Sequence, residues 1–423
     1  MDLSAFWIIL TGFFAAAACG LLGSYLVLRK MSLLGDAISH AVLPGIAIAF
    51  LLSGSRSILP MFLGAATLGI LTALLIEMLH KKWHVQEDAS IGIVFTSLFA
   101  IGVVIISAYA GQVDLDQECV LYGEIAYTPW DVLIVGGQEI GPRPVWLLGI
   151  VFILDVLLVV LLYKEFMISS FDAALATSLG FSATIIHYIL MGAVSMTTVA
   201  AFESVGAILV VAMLIVPGAT AYLLTDKLKT MLFISVGVAL ISAVAGYWLA
   251  SLWDSSIAGA MTVAAGGQFA LAFILSPKYG LVGKGYHRFK LGVQYAADHI
   301  LLALSRYEEA EPRTFLSFEH LLEQTSTTRL QSRLAFYTNR REHLITHAQD
   351  GISLTPEGRT AAIHLLRSHR LWETFLSEKV GLPGDHTHEP ANLMEHFIDE
   401  KIQEKIRDEI PDVNRDPHGK EIP

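Results

Sequence analysis

The 423-residue chain is 54% hydrophobic and 16% charged, with a formal net charge of −11. Soluble domains average about 25% charged residues, so an ordinary soluble protein is excluded and most of the chain is assigned to a membrane. Charge is unevenly placed. Residues 1–286 hold 11 Lys plus Arg and 17 Asp plus Glu, whereas 287–423 hold 17 and 22 with 11 of the 15 histidines. That break divides a membrane domain (1–286) from a polar, histidine-rich soluble domain (287–423). Cys19 and Cys119 are too few for a disulfide framework.

Crossing about 30 Å of hydrocarbon takes about 20 apolar residues. Nine runs qualify: 5–28, 34–53, 60–79, 90–110, 146–163, 184–201, 203–224, 230–251 and 257–276. The first contains AAAACG at 15–20, a passable lipoprotein cleavage site. However, no Lys or Arg precedes it, Asp2 is acidic and the apolar stretch continues through Leu28, so it is read as a retained span.

The second run carries LLGDAISHAVLPG (33–45). Asp36 and His40 are one helical turn apart and share a face. An ionisable group at mid-span costs roughly 2.5–3.5 kcal/mol on insertion scales, so such groups tend to line a bundle interior or pathway. One carboxylate oxygen and one imidazole nitrogen suit Mn, Fe or Zn. The same residues also admit a structural reading, with Asp36 capping the helix after Gly35 and His40 a satisfied core histidine. Pro44 and Gly45 loosen the helix on nearly the same face.

Further along, an outer loop at about 111–145 is acidic (Asp114, Asp116, Glu118, Glu124, Asp131, Glu139); it reads as a solvated loop or as a surface for cations or an external partner. Asp155, in FILDVLLVV, either lines the pathway or pairs with a hydroxyl or backbone group inside the bundle. FDAALATSLG (171–180) is a short helical pattern closed by Gly180. Its Phe171, Asp172, Ala173 and Ala174 suit a helix docking in another protein's groove, or an ordinary interfacial helix. In the stretch 197–221 small residues permit close packing. Glu203 reads as another pathway group or as a surface residue at a turn, and it and the small residues around it suggest the break between the sixth and seventh spans.

Basic residues orient the spans. Arg29, Lys30, Lys81, Lys82, Lys164, Lys227, Lys229, Lys278 and Lys284 fall on one side, against Arg56 and Arg143 on the other. The N-terminus is thus expected outside and the C-terminal domain in the cytoplasm.

GDAISHAVLPG, FDAALATSLG and VGAILVVAMLIVPGATA, in this order, resemble the manganese/zinc/iron permease family of ABC transporters, and AGGQFALAFILSPKYGLV fits its last span. The resemblance covers roughly residues 1–285. It implies a bacterial-type inner membrane location, a homodimeric or paired permease, a cytoplasmic ATPase subunit gripping the helix around 171–180, and an external metal-binding protein. It also implies that Asp36 and His40 form a metal site on the translocation path. No G-x-x-x-x-G-K-[ST] loop occurs, since GLVGKGYH (280–287) lacks the spacing and the Ser/Thr. ATP hydrolysis is therefore expected on another chain, and this one is not expected to be an enzyme.

In the tail, GISLTPEGRTAAIHLLRSHRLWETFL (351–376) reads as a short strand, a Thr-Pro-Glu helix start and a long amphipathic helix. His369 and Glu373 lie one turn apart on it, and HEPANLMEH (388–396) adds His388, Glu389, Glu395 and His396. Imidazole–carboxylate sets of this kind bind divalent transition metals. LTPEG, SHRLWETFL, HEPANLMEH and the closing DPHGKEIP resemble the metal-dependent repressors typified by the diphtheria toxin and manganese repressors. That resemblance implies one metal site at His369, Glu373 and His388 and another at Glu395 and His396, with Asp298 from the first helix. Asn392 stands where the family has a cysteine or carboxylate ligand, and Leu301 replaces an acidic one, which weakens the second site. It also implies a winged helix-turn-helix across about 290–355 with TSTTRLQSRLAFYTNRRE as its recognition region (Arg329, Arg333, Arg340, Arg341).

The expected fold is an all-α polytopic membrane protein with about nine spans and a mainly α, winged-helix-like cytoplasmic sensor domain. The expected function is import of Mn, Zn or Fe, modulated by a metal-sensing tail. The alternatives are an ion-coupled carrier, in which Asp36, His40, Asp155 and Glu203 relay protons, and a membrane-tethered, metal-responsive DNA-binding regulator. DNA is disfavoured because the tail is net acidic and DNA affinity rests on phosphate neutralisation.

Overall fold

The computed structural model describes residues 2–423 apart from 32, 42, 55–57, 110–124, 136–137, 311–327, 349–350, 395, 397 and 412. Arg56, Asp114, Asp116, Glu118, Cys119, Glu124 and Glu395 lie outside the described residues, as does the side chain of Glu203. The chain divides into two compact units, Met1–Gly283 and Lys284–Pro423.

The first unit is a helical bundle. Among the described residues, eight helices are long and apolar enough to cross a membrane. Leu3–Leu28 is the central one, packed on Ala207–Leu224, Leu228–Trp253 and Arg143–Leu161. Its middle is a run of small residues, Ala15 to Gly20, all buried, which lets neighbouring backbones approach closely where lipid gives no hydrophobic drive for association. At Gly23 the approach is extreme: a Cβ there would sit 1.9 Å from the Leu214 carbonyl oxygen. Gly23→Ala is therefore expected to destabilise the unit by about 1–3 kcal/mol through overpacking, measured as a lower melting temperature of the purified chain.

Two sequence expectations are corrected here. The run 34–53 forms two consecutive helices, Leu34–Ala41 and Leu43–Ser53, because Pro44 has no N–H to donate and fits only the first turn of a helix. The break in 184–224 falls at Gly206 (φ +80°), between Ala183–Val205 and Ala207–Leu224. Of the group expected there, Glu203 with the small residues around it, Gly206 is the one at the break, and Glu203 belongs to the last turn of the preceding helix. Glycine tolerates this left-handed backbone, which a glutamate resists. In the described part of the outer loop, Val132–Val135 and Gln138–Pro142 pair as an antiparallel hairpin, an element not expected in an all-α membrane unit.

The second unit runs from within the Leu281–Ala310 helix through Arg329–Arg341, an antiparallel pair Ile345–Ala348 and Gly351–Leu354, and Pro356–Glu378. These elements share one core containing Ile300, Leu304, Ala335, Phe336, Ile345, Ile352 and Leu354. Helices with a two-stranded wing agree with the arrangement the resemblance implied, although 311–327, including the first residues of the expected recognition region, lie outside the described residues. Thr328 and Gln331 form a capping box that starts Arg329–Arg341. Thr355 Oγ1 accepts from Gly358 N (2.9 Å) with Pro356 in the first turn, as the Thr-Pro-Glu sequence predicts. Two shorter helices, His388–Met394 and Glu400–Glu409, follow, and Ile398, Ile406 and Ile410 pack on Leu371.

Candidate metal sites

The Leu34–Ala41 helix buries Leu34, Ala37, Ile38 and Ala41, the i, i+3, i+4, i+7 stripe of one face. Gly35 presses against Leu214, whose Cδ1 lies 2.5 Å from where a Cβ would stand. With that face committed to packing, Asp36 and His40 are turned elsewhere. Their side chains are 42% and 31% exposed, with His40 Nε2 3.5 Å from Asp36 Oδ1. Asp36 is the third residue of its helix, so the capping alternative fails. His40 is not a packed core histidine either. The rings of Phe95 and Phe99, with centroids 5.6 and 6.0 Å from that of His40, form its apolar wall.

Asp155 has a different environment. It is buried, and its Oδ2 accepts a 2.7 Å hydrogen bond from Thr197 Oγ1. This is the hydroxyl pairing inside the bundle that the sequence allowed as the alternative to a pathway role.

The 171–180 segment is a short helix, Ala173–Ser178, capped by Asp172 through Leu175 N (2.9 Å). Gly180 takes φ +90° just beyond it. Phe171, Leu175 and Leu179 are all exposed, an apolar edge available to a groove. It follows Tyr163–Phe171, whose Ser169 and Ser170 are held by Arg29. Sequence reading treated Arg29 only as a topological charge.

The tail cluster is the tightest. His369 and Glu373, one turn apart on Pro356–Glu378, meet His388 from the start of the next helix. His369 Nε2 is 3.1 Å from Glu373 Oε1 and 3.2 Å from His388 Nδ1, which is itself 2.8 Å from Glu373 Oε1. One donor atom from each falls within 4.8 Å of the others, the one such trio among the described residues. Both helix residues are buried, whereas His388 is exposed. Burial pushes the Glu373 carboxyl up, but hydrogen bonds from His369 and His388, and their charge, outweigh it and hold the group at about 2. An ionised carboxylate with two imidazole nitrogens is a donor set that fits Mn, Fe or Zn.

A fourth group was missed in the sequence. His418 Nε2 lies 3.8 Å from Glu373 Oε1. Asp416 Oδ1 accepts from the His418 and Lys420 backbone N–H groups (2.9 and 2.8 Å), and Asp416 also pairs with Arg370 at 3.7 Å. The closing DPHGKEIP turn is thereby folded back beside His369.

At the second expected tail site, His396 Nδ1 and Asp298 Oδ2 come within 2.8 Å, with the Tyr295 ring 4.7 Å from that of His396. Leu301 is buried in the core and Asn392 is half-buried. Asp298 and His396 are thus brought together there, with the His299 ring 5.1 Å from that of His396. On Arg329–Arg341 the four arginines are exposed.

Comparison with known proteins gives two family matches. The ABC 3 transport family matches residues 2–276, and the iron dependent repressor, metal binding and dimerisation domain matches residues 355–423. The manganese transport system membrane protein MntD of Bacillus subtilis (strain 168) is 52% identical over 278 residues, 66% of this chain and 94% of MntD. The zinc transport system membrane protein TroD of Treponema pallidum (strain Nichols) is 40% identical over 353 residues, 83% of this chain and 96% of TroD. Among solved structures, PsaBC from Streptococcus pneumoniae in complex with Fab aligns at a TM-score of 0.55 and 31% identity, covering 66% of this chain and 94% of that one.

Proposed function

Because the chain belongs to the ABC 3 transport family and ends in an iron-dependent-repressor type metal-binding and dimerisation domain, we propose that it is the permease subunit of an importer. Its cargo is a divalent transition metal (manganese, zinc or iron), and its tail senses the same ion in the cytoplasm. The observation that carries this reading is the Asp36–His40 pair, held half-exposed on a short helix whose other face is fully packed.

A transport site must accept an ion yet release it. One carboxylate oxygen and one imidazole nitrogen per chain, duplicated across a dimer axis or matched by a sister permease, supply affinity without a closed cage. Phe95 and Phe99 keep one side of His40 apolar, which strengthens the attraction between Asp36 and a cation by lowering the local dielectric. The exposed edge at Phe171, Leu175 and Leu179 is the docking surface for a separate ATPase, with Asp172 fixing the start of its helix. An external metal-binding protein delivers the cargo on the opposite, N-terminal side.

For the tail, a metal sensor is favoured over a DNA-binding regulator, because the trio at Glu373 is assembled while the domain as a whole carries 17 basic against 22 acidic residues. Bound metal would be held by His369, Glu373 and His388, with His418 able to close in as a fourth donor.

Uptake assays in cells lacking either this chain or its ATPase test the reading. Accumulation of manganese, zinc or iron is expected to fall in both. Uptake that persists without the ATPase would replace the importer with an ion-coupled carrier.

A further inference from the structure

Arg29 immediately follows the Leu3–Leu28 helix, and all three ends of its guanidinium are engaged. Nε donates to Ser170 Oγ (3.0 Å), Nη2 to Ser169 Oγ (2.7 Å) and Nη1 to His187 Nδ1 (3.3 Å). A guanidinium carries donors only, so His187 Nδ1 is the acceptor. The other ring nitrogen then faces Glu77 Oε2 at 3.7 Å, and Glu77 is also bonded by Lys81. One side chain thus ties the end of the first membrane helix to Tyr163–Phe171 and to Ala183–Val205. Arg29, Glu77 and His187 line a cavity of about 510 Å3 together with Ala173, Ala174 and Thr177 of the docking element.

On its chain side, Arg29 leads directly to the metal pair. Asp36 is seven residues on. The connection is held by hydrogen bonds, with Met31 N donating to Leu26 O (2.9 Å) and Leu34 N to Met31 O (3.2 Å). Between the forked charge-assisted contact at Ser169 and Ser170 and the start of the Asp36 helix, Met31 and Leu34 are thus both tied by backbone hydrogen bonds.

We propose that Arg29 is a positioning residue that couples movement of the 171–180 docking element to the Asp36–His40 pair. This rests on the importer reading above. A lysine cannot replace it, because a single ammonium cannot hold both serines and His187 in the fork geometry of a guanidinium.

The test uses the full chain, reconstituted in liposomes with its ATPase and metal-binding protein, and measures manganese transported per ATP hydrolysed. Arg29→Lys is expected to lower that ratio about tenfold while hydrolysis continues, within the 5–150-fold range of typical coupling energies. The double variant Ser169→Ala/Ser170→Ala, which leaves every charge in place, is expected to lower it about fivefold, at the bottom of that range. An unchanged ratio in the serine variant overturns the junction alone. Manganese uptake by the unaltered chain that continues without ATP overturns the importer reading, and the junction with it.

Discussion

Asp36→Ala and His40→Ala are each expected to abolish metal uptake while leaving the chain folded and inserted. The two halves of that expectation have separate physical causes. The helix is anchored by Leu34, Ala37, Ile38 and Ala41 and by the close contact of Gly35 with Leu214. Neither polar side chain belongs to that buried stripe, and His40 touches Phe95 and Phe99 from a partly exposed position, so truncating either leaves the helix anchored. In the proposed site, where Asp36 and His40 are the donors each chain supplies, removing one takes away half of that coordination. Loss of a mere outer-shell partner costs a metal site 10–100-fold, so loss of a direct ligand is expected to cost roughly a hundredfold or more in transport. Asp36→Asn separates charge from shape: it keeps an oxygen donor and the side-chain volume, and is expected to fall between Ala and the unaltered residue. Insertion is checked by yield and melting temperature in detergent, and transport by manganese, zinc and iron uptake. Normal uptake by both alanine variants would rule out a pathway role for the pair.

What the sequence made legible follows from the range of the interactions involved. Asp36 with His40 and His369 with Glu373 are i, i+4 pairs, so a helical period alone places each on one face. The Thr355–Pro356 helix start is equally local, and the structure has it where the sequence puts it. Errors arose where backbone chemistry competed with hydropathy. The run 34–53 is apolar enough for one span, yet Pro44 starts a second helix within it, and the break after the sixth span went to Gly206 although Glu203 was the more conspicuous residue. The Val132–Val135 strand was overlooked because its partner, Gln138–Pro142, is polar and carries a glycine and a proline. His418 and Arg29 were missed for another reason. One lies 45 residues beyond Glu373 and the other 140 before Ser169, and no periodicity links groups that only tertiary folding brings together.

The tail trio makes a demand that can be isolated from transport. In a full-length chain already carrying Asp36→Ala and His40→Ala, calorimetric titration with manganese is expected to retain a binding event, which His369→Ala or Glu373→Ala then removes. The Glu373 change should have the larger effect. Its Oε1 is the atom that His369, His388 and His418 all approach, at 3.1, 2.8 and 3.8 Å, so its loss takes away the negative charge and the geometric centre together. Affinity is expected to fall at least a hundredfold, beyond the upper end of what outer-shell losses cost. His418→Ala belongs to a different class. Its nitrogen is farthest away and its side chain is half-exposed, so it must move inward to ligate, and about a tenfold loss is expected, the lower end of that same range. This ordering distinguishes a metal site from a simple hydrogen-bonded cluster. A cluster that only stabilises the helix junction would lose melting temperature on Glu373→Ala, but the parent chain would give no manganese-dependent heat for the substitution to abolish. Heat that survives Glu373→Ala undiminished would place the ion elsewhere in the chain and remove the sensor from the proposed function.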